Sequence, residues 1–182
     1  MLYFKALIEE LRLHPSNFKI TNCHRNDPAG LVEFAVTLLK EYDYAFCIFD
    51  KDEHDNHQRN YTKALNRIED LRKNKKEISA ITSVPCFEYW LLLHFKDSTA
   101  PIINQPSYTA SEQLTNELKK HIADYSKSYP HVFQYTKIHL ETAIQRAKRI
   151  DIDLVQTAGN PSTKVYLLVE FLKKAAKEIF HG

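Results

Sequence analysis

Tyr44-Ala45-Phe46-Cys47-Ile48-Phe49-Asp50-Lys51-Asp52 carries the plainest structural signal in the chain. Six continuously apolar residues, rich in β-formers, are followed at once by two carboxylates. A strand that is apolar on both faces belongs in the middle of a parallel sheet covered by helices. The stretch therefore predicts a buried strand of an α/β layer with an acidic tip.

Outward from it, the periodicity agrees. Upstream, residues 29–41 have the broad apolar face of a helix, residues 18–21 alternate like a short strand, and residues 2–13 place Phe4, Leu7, Ile8 and Leu11 at helical spacing. Downstream, residues 58–74 read as an exposed helix, 78–82 as a second apolar strand, and 85–95 as a helix heavy in Phe87, Trp90, Leu91 and Leu92. Alternating helix and strand argues for a doubly wound α/β layer. Beyond residue 100 only helical patterns occur, over 111–126, 134–150 and 162–180; the last carries Val165, Leu168, Val169, Leu172, Ala176 and Ile179 on one stripe. The expected architecture is an α/β half, residues 1–100, with a helical subdomain, residues 101–182, packed on it.

The 182 residues suit a single domain with a helical extension, and ten Phe, ten Tyr and one Trp supply ample core material. With 25 basic and 23 acidic residues the net charge is only +2, so nucleic acid would have to be met through local patches. Arg72-Lys73-Asn74-Lys75-Lys76 and Arg146-Ala147-Lys148-Arg149 are two such patches, and each also suits a solvated helix end. Cys23, Cys47 and Cys86 form no CxxC pair and read as reduced thiols. No apolar run approaches about 18 residues and no signal-peptide plan opens the chain, so no membrane partner and a cytoplasmic location are expected. Gly occurs only at 30, 159 and 182, which excludes a dinucleotide fingerprint and a Walker A loop.

The chemistry-bearing residues cluster around the acidic tip. Asp50 and Asp52 are two apart, so an extended backbone aims both carboxylates to one side. In open α/β sheets ligands bind outside the carboxyl ends of the strands, and hard oxygen ligands there suit Mg²⁺ or Mn²⁺. An ordinary acidic turn is the bland alternative. An EF-hand fails because Asp55 stands where the loop needs Gly and Tyr61 where it needs Glu. Zinc through His54, Asp55 and His57 lacks a distant fourth ligand. Glu88 lies in an otherwise apolar helix, where a carboxylate needs a partner such as a shared metal, unless it faces solvent. Cys86 and His94 are about 12 Å apart along a helix, too far for a thiol dyad, so Cys86 reads as packing. Asn160-Pro161-Ser162-Thr163 reads as a helix start, with Asn160 as N-cap and Pro161 in the first turn. Its free N–H groups and hydroxyls could alternatively hold a phosphate.

Taken in order, Phe49-Asp50-Lys51-Asp52-Glu53, the run from Pro85-Cys86-Phe87-Glu88-Tyr89-Trp90 through Leu91-Leu92-Leu93-His94-Phe95, and Asn160-Pro161-Ser162-Thr163 with its following Leu-Val helix resemble the RloB-like family. That family includes the AbiLii-type abortive-infection proteins of bacterial phage defence. The resemblance spans nearly the whole chain. It implies a Toprim-like parallel sheet flanked by helices, a companion ATPase, and a nuclease role in restriction or phage exclusion, with DNA or RNA as the second partner. Asp50 and Asp52 match the metal-binding Asp pair of Toprim enzymes, with Glu88 as a third candidate catalytic residue. His94, Asn160, Ser162 and Thr163 are carried along as candidate phosphate contacts. Two departures stand out. Family members begin with a strand and a Gly-Glu-rich loop just before the segment matched by Leu2-Tyr3-Phe4, so the upstream acid–base Glu is expected to be missing here. Val84 also stands where the family typically has Asn. The alternative expectation is a binding or sensor subunit without chemistry of its own. The oligomeric state, including a homo-oligomer, stays open.

Overall fold

The computed structural model describes the backbone of residues 1–23, 27–51, 55–152 and 159–181, and the side chains of these except 55–58, 152 and 179–181. Helices α1 (Leu2–Glu10) and α2 (Pro28–Leu38) precede strand β1 (Ala45–Asp50), and α3 (Asp55–Lys73) leads to β2 (Ile78–Val84). Then come α4 (Glu88–Leu92), α5 (Ala110–Lys119), α6 (Val132–Thr136), α7 (Leu140–Ile152), the two-residue β3 (Ser162–Thr163) and α8 (Val165–His181). The chain is an α/β protein with a mixed three-stranded sheet in the order β1-β2-β3. β1 and β2 run parallel from Ala45 opposite Ile78 to Asp50 opposite Ser83, while β3 runs antiparallel, with Ser83 opposite Thr163.

Successive strand residues face opposite sides, and the two sides are covered differently. Cys47 and Ile78 pack against Val32 and Ala35 of α2 and Ala64, Ile68 and Leu71 of α3. On the other side Ile81 joins the larger core, built from α1, α4 and the helices after residue 100. That core runs without interruption from Tyr3, Phe4 and Leu7 through Trp90 and Phe133 to Ile144, Val169 and Leu172. The helical part is thereby joined to the sheet through one continuous apolar interior. Trp90 is fully buried at its centre, and Tyr3 packs edge-on against it, Phe4 and Phe133. Each such large side chain contributes roughly 1.5–3 kcal/mol by leaving water.

Helix ends follow local chemistry. Asp27 accepts from Gly30 N at 2.7 Å, with Pro28 in the first turn of α2. Thr109 and Glu112 form a reciprocal capping box on α5.

Several expectations are corrected. β1 is not in the middle of the sheet: among the described residues it pairs with β2 alone, and Ile48 is 38% exposed. An apolar run reports which faces are covered, not whether a second strand lies along its edge. Residues 18–21 form no strand; Phe18 is extended, but no ladder partner is recorded for it among the described residues. The helix expected over 134–150 is divided by a 3-10 turn at Lys137–His139. The α-helix within 85–95 spans only Glu88–Leu92. Asn160 caps no helix. The chain first adds β3 to the sheet, and Val165 N donates to Thr163 Oγ1 at 3.3 Å as α8 begins. Among the described residues no helix is long and apolar enough to cross a membrane.

Candidate functional site

The carboxyl end of the parallel pair gathers polar side chains because the register places them side by side. Asp50, Ser83 and Thr163 occupy one row across β1, β2 and β3. In-register neighbours share a face, and this face is the one that carries the larger core. The Ser83 and Thr163 hydroxyls are 3.0 Å apart and both residues are buried. Lys51 N donates to Ser83 O at 2.9 Å, continuing the pairing past Asp50. Asp50 itself is solvent-exposed at the strand tip.

Just beyond β2 the chain turns through the cis peptide Val84–Pro85 into α4, and this turn carries Cys86 and Glu88 to the same end of the sheet. Glu88 is 5% exposed, which removes the solvent-facing alternative. A carboxylate so buried needs donors. The buried Tyr125 hydroxyl donates to Glu88 Oε1 at 3.4 Å, and the Lys127 ammonium lies 3.7 Å from the same oxygen. Burial first, then the Glu88 carboxylate and more weakly that of Asp50, push the Cys86 thiol well above its ordinary range, against an opposing hydrogen bond from Ser111. Glu88, at the start of α4, and more weakly Asp50, at the end of β1, thus both raise the Cys86 thiol. Cys86 stays a protonated thiol at neutral pH and makes a poor soft-metal ligand or nucleophile. Burial and Glu88 likewise raise Tyr125, which keeps its proton as the donor.

The remaining candidates are distributed as follows. Asp52 and His54 lie outside the described residues, as do the side chains of Asp55 and His57. His94 is brought into the core instead of the site. Its Nδ1 sits 3.0 Å from Trp90 O, its Nε2 3.4 Å from the Tyr3 hydroxyl, and burial lowers its pKa to about 4. Asn160 is held on the backbone of Ile102 in both directions, donating at 3.0 Å and accepting at 3.3 Å. Ser162 Oγ donates to Gly159 O at 2.8 Å. The basic run on α7 is engaged within the protein: Arg146 donates to Leu93 O at 2.7 Å, Arg149 pairs with Asp97, and Lys148 reaches Glu170 at 2.6 Å.

Sequence reasoning missed Ser83, Ser111, Tyr125 and Lys127. Ser83 could have been found by laying 45–50 beside 78–83 as parallel neighbours. Nothing local marks the other three, which reach the site only through tertiary packing.

Oxygen donors suit hard cations in general, and a thiol held protonated suits zinc poorly. Among the described residues no group of three or more His, Cys, Asp and Glu side chains is gathered closely enough to hold a metal by itself. Fold and site together define an α/β protein with carboxylates and hydroxyls assembled at the carboxyl end of a parallel strand pair. The chain belongs to the RloB-like family, whose model matches residues 1–172. No curated protein and no solved structure gives a significant match.

Proposed function

We propose that this chain is a phage-defence protein of the RloB-like family that acts on nucleic-acid phosphodiesters as a Mg²⁺- or Mn²⁺-dependent nuclease or nuclease subunit. The observation that carries the reading is that Asp50, at the tip of β1, and buried Glu88, in the helix that follows β2, both lie beyond the carboxyl end of the parallel pair. Asp50 and Asp52 would hold the cation, with Glu88 contributing from the side. A divalent ion held there would supply Lewis-acid chemistry, polarising a phosphate oxygen and activating water. The chain's own residues set the stage. Tyr125 orients the Glu88 carboxylate, the Ser83–Thr163 pair ties β2 to β3, and buried Cys86 keeps its proton.

Family membership supports the defence role; a Toprim-like arrangement and work alongside a companion ATPase are part of the same proposal. The test compares Mg²⁺ and Mn²⁺ binding by calorimetry in the wild type and an Asp50→Asn, Asp52→Asn double variant. Binding lost in the variant, with metal-dependent nicking of plasmid or RNA lost alongside, is the expected result. Binding equal in both proteins would overturn the site. No binding in either would shift the reading to a sensor subunit that leaves chemistry to its partner.

A further inference from the structure

The segment from Lys119 to His139, which joins α5 to α6 and runs on past it, is basic and aromatic at once. Four Lys and three His stand in it against one acid, Asp124. Lys120 and Lys137 pair with Glu117 and Glu10 from outside the segment, both through exposed and so lightly held ammonium groups. Helix α6 buries Val132, Phe133 and Thr136, which uses its inward side and turns Tyr135 outward. Tyr135 is 51% exposed, and Ile138, one turn on, 77%. Tyr129 lies half-buried against the large core, and His131 beside it is exposed. The ring of Tyr129 is 6.0 Å from that of Tyr135 and 5.9 Å from that of His131, at 53° and 82°. The three rings are contiguous yet splayed, not stacked on one another. Lys127 precedes Tyr129 by two residues and brings its ammonium to 3.7 Å from Glu88, so this segment leads from the aromatic patch to the candidate site.

We propose that Tyr129, His131 and Tyr135 form a stacking platform for unpaired bases, and that the nucleic acid this chain handles is single-stranded. The inference rests on the reading of the chain as a protein that acts on nucleic acid, and it requires no metal ion. Every base has a π face, and exposed aromatic rings beside cations hold a single strand by stacking, with little regard to sequence. In a duplex those faces are covered by neighbouring base pairs, so surface rings gain little from it. The excess of Lys over acid in the same segment complements the phosphates, which favours a nucleic acid over an apolar protein face as the occupant.

The experiment uses the full chain in EDTA and fluorescence anisotropy with fluorescein-labelled oligonucleotides of one sequence, as single-stranded DNA, single-stranded RNA and duplex DNA. Single strands are expected to bind more tightly than the duplex, and a preference between the two sugars identifies DNA or RNA as the natural source. Tyr135→Ala, and Tyr129→Leu chosen to keep the core contact, should each weaken single-strand binding about fivefold or more. Neither should change the slope of log affinity against log salt, because no phosphate contact is lost. Tyr135→Phe should bind as the wild type does. Unaltered affinity in Tyr135→Ala, or duplex bound as tightly as single strands, overturns the platform. So does a wild type that binds no oligonucleotide but self-associates in sedimentation runs, with the association lost in Tyr135→Ala; the face then belongs to a second copy. Wild-type binding that survives both Tyr variants removes the platform alone and leaves the nucleic-acid reading standing. A wild type that binds none of the three probes removes both.

Discussion

The hydroxyls of Ser83 and Thr163, eighty positions apart in the chain, meet at 3.0 Å in the interior and join β2 to the short β3. A buried hydroxyl deprived of its partner costs about 1–3 kcal/mol, whereas removal of both partners approaches neutrality. Thr163→Val and Ser83→Ala should each lower the urea midpoint. The double variant should lose clearly less than the sum, which a double-mutant cycle measures. Strict additivity would show that the two hydroxyls are not coupled.

Burial holds His94 neutral, with a pKa near 4 against an ordinary 6.5. Between those values the unfolded chain binds the proton that the folded chain refuses. Stability therefore declines as the pH falls through 6.5 and stops declining from this source below about 4, by up to about 3 kcal/mol. His94→Gln lacks this dependence. Its stability deficit relative to wild type should shrink between pH 7 and pH 4.5 in urea titrations, and a constant gap would contradict the assignment.

Asn160 clamps Ile102 through two hydrogen bonds. Asn160→Ala should cost about 1–3 kcal/mol of stability by leaving the Ile102 backbone unpaired. If its role is structural, inorganic phosphate or oligonucleotide binding should be unchanged once the protein is folded. A variant of normal stability with weakened phosphate binding would restore the phosphate role.

Trp90 is fully buried against Tyr3 and His94. Trp90→Ala should destabilise by about 3–5 kcal/mol through lost burial and the cavity left behind. Because this core joins the sheet to the helices after residue 100, both parts should unfold in one transition by far-UV circular dichroism and Tyr fluorescence. Two separated transitions would show that the helical part is an independent unit.

Glu88 was legible as an oddity, a carboxylate among Phe87, Tyr89 and Trp90, yet its burial was not. Helical spacing alone leaves both a solvent-facing and a core-facing orientation open in so short and apolar a helix. His94 shows the converse. It was named as a candidate phosphate contact, and the turn after α4 leaves it buried, with Nδ1 on Trp90 O. Asn160 and Pro161 satisfy the local rules of a helix start. The open edge of β2 offered the next two residues a ladder, and sheet pairing prevailed over local preference.

The α/β class, the apolar character of both strands and the acidic residue that ends the first were legible along the chain, because side-chain period and transfer free energy act locally. The sequence also carried family membership in short runs of residues. Tertiary structure alone decided which strand lies at the edge of the sheet and that Glu88 turns inward. It also decided that Tyr125 and Lys127 reach Glu88, and that Thr163 stands in the row of Asp50 and Ser83. Those relationships join positions far apart in the chain, and they form only when the two apolar faces of the sheet are buried together.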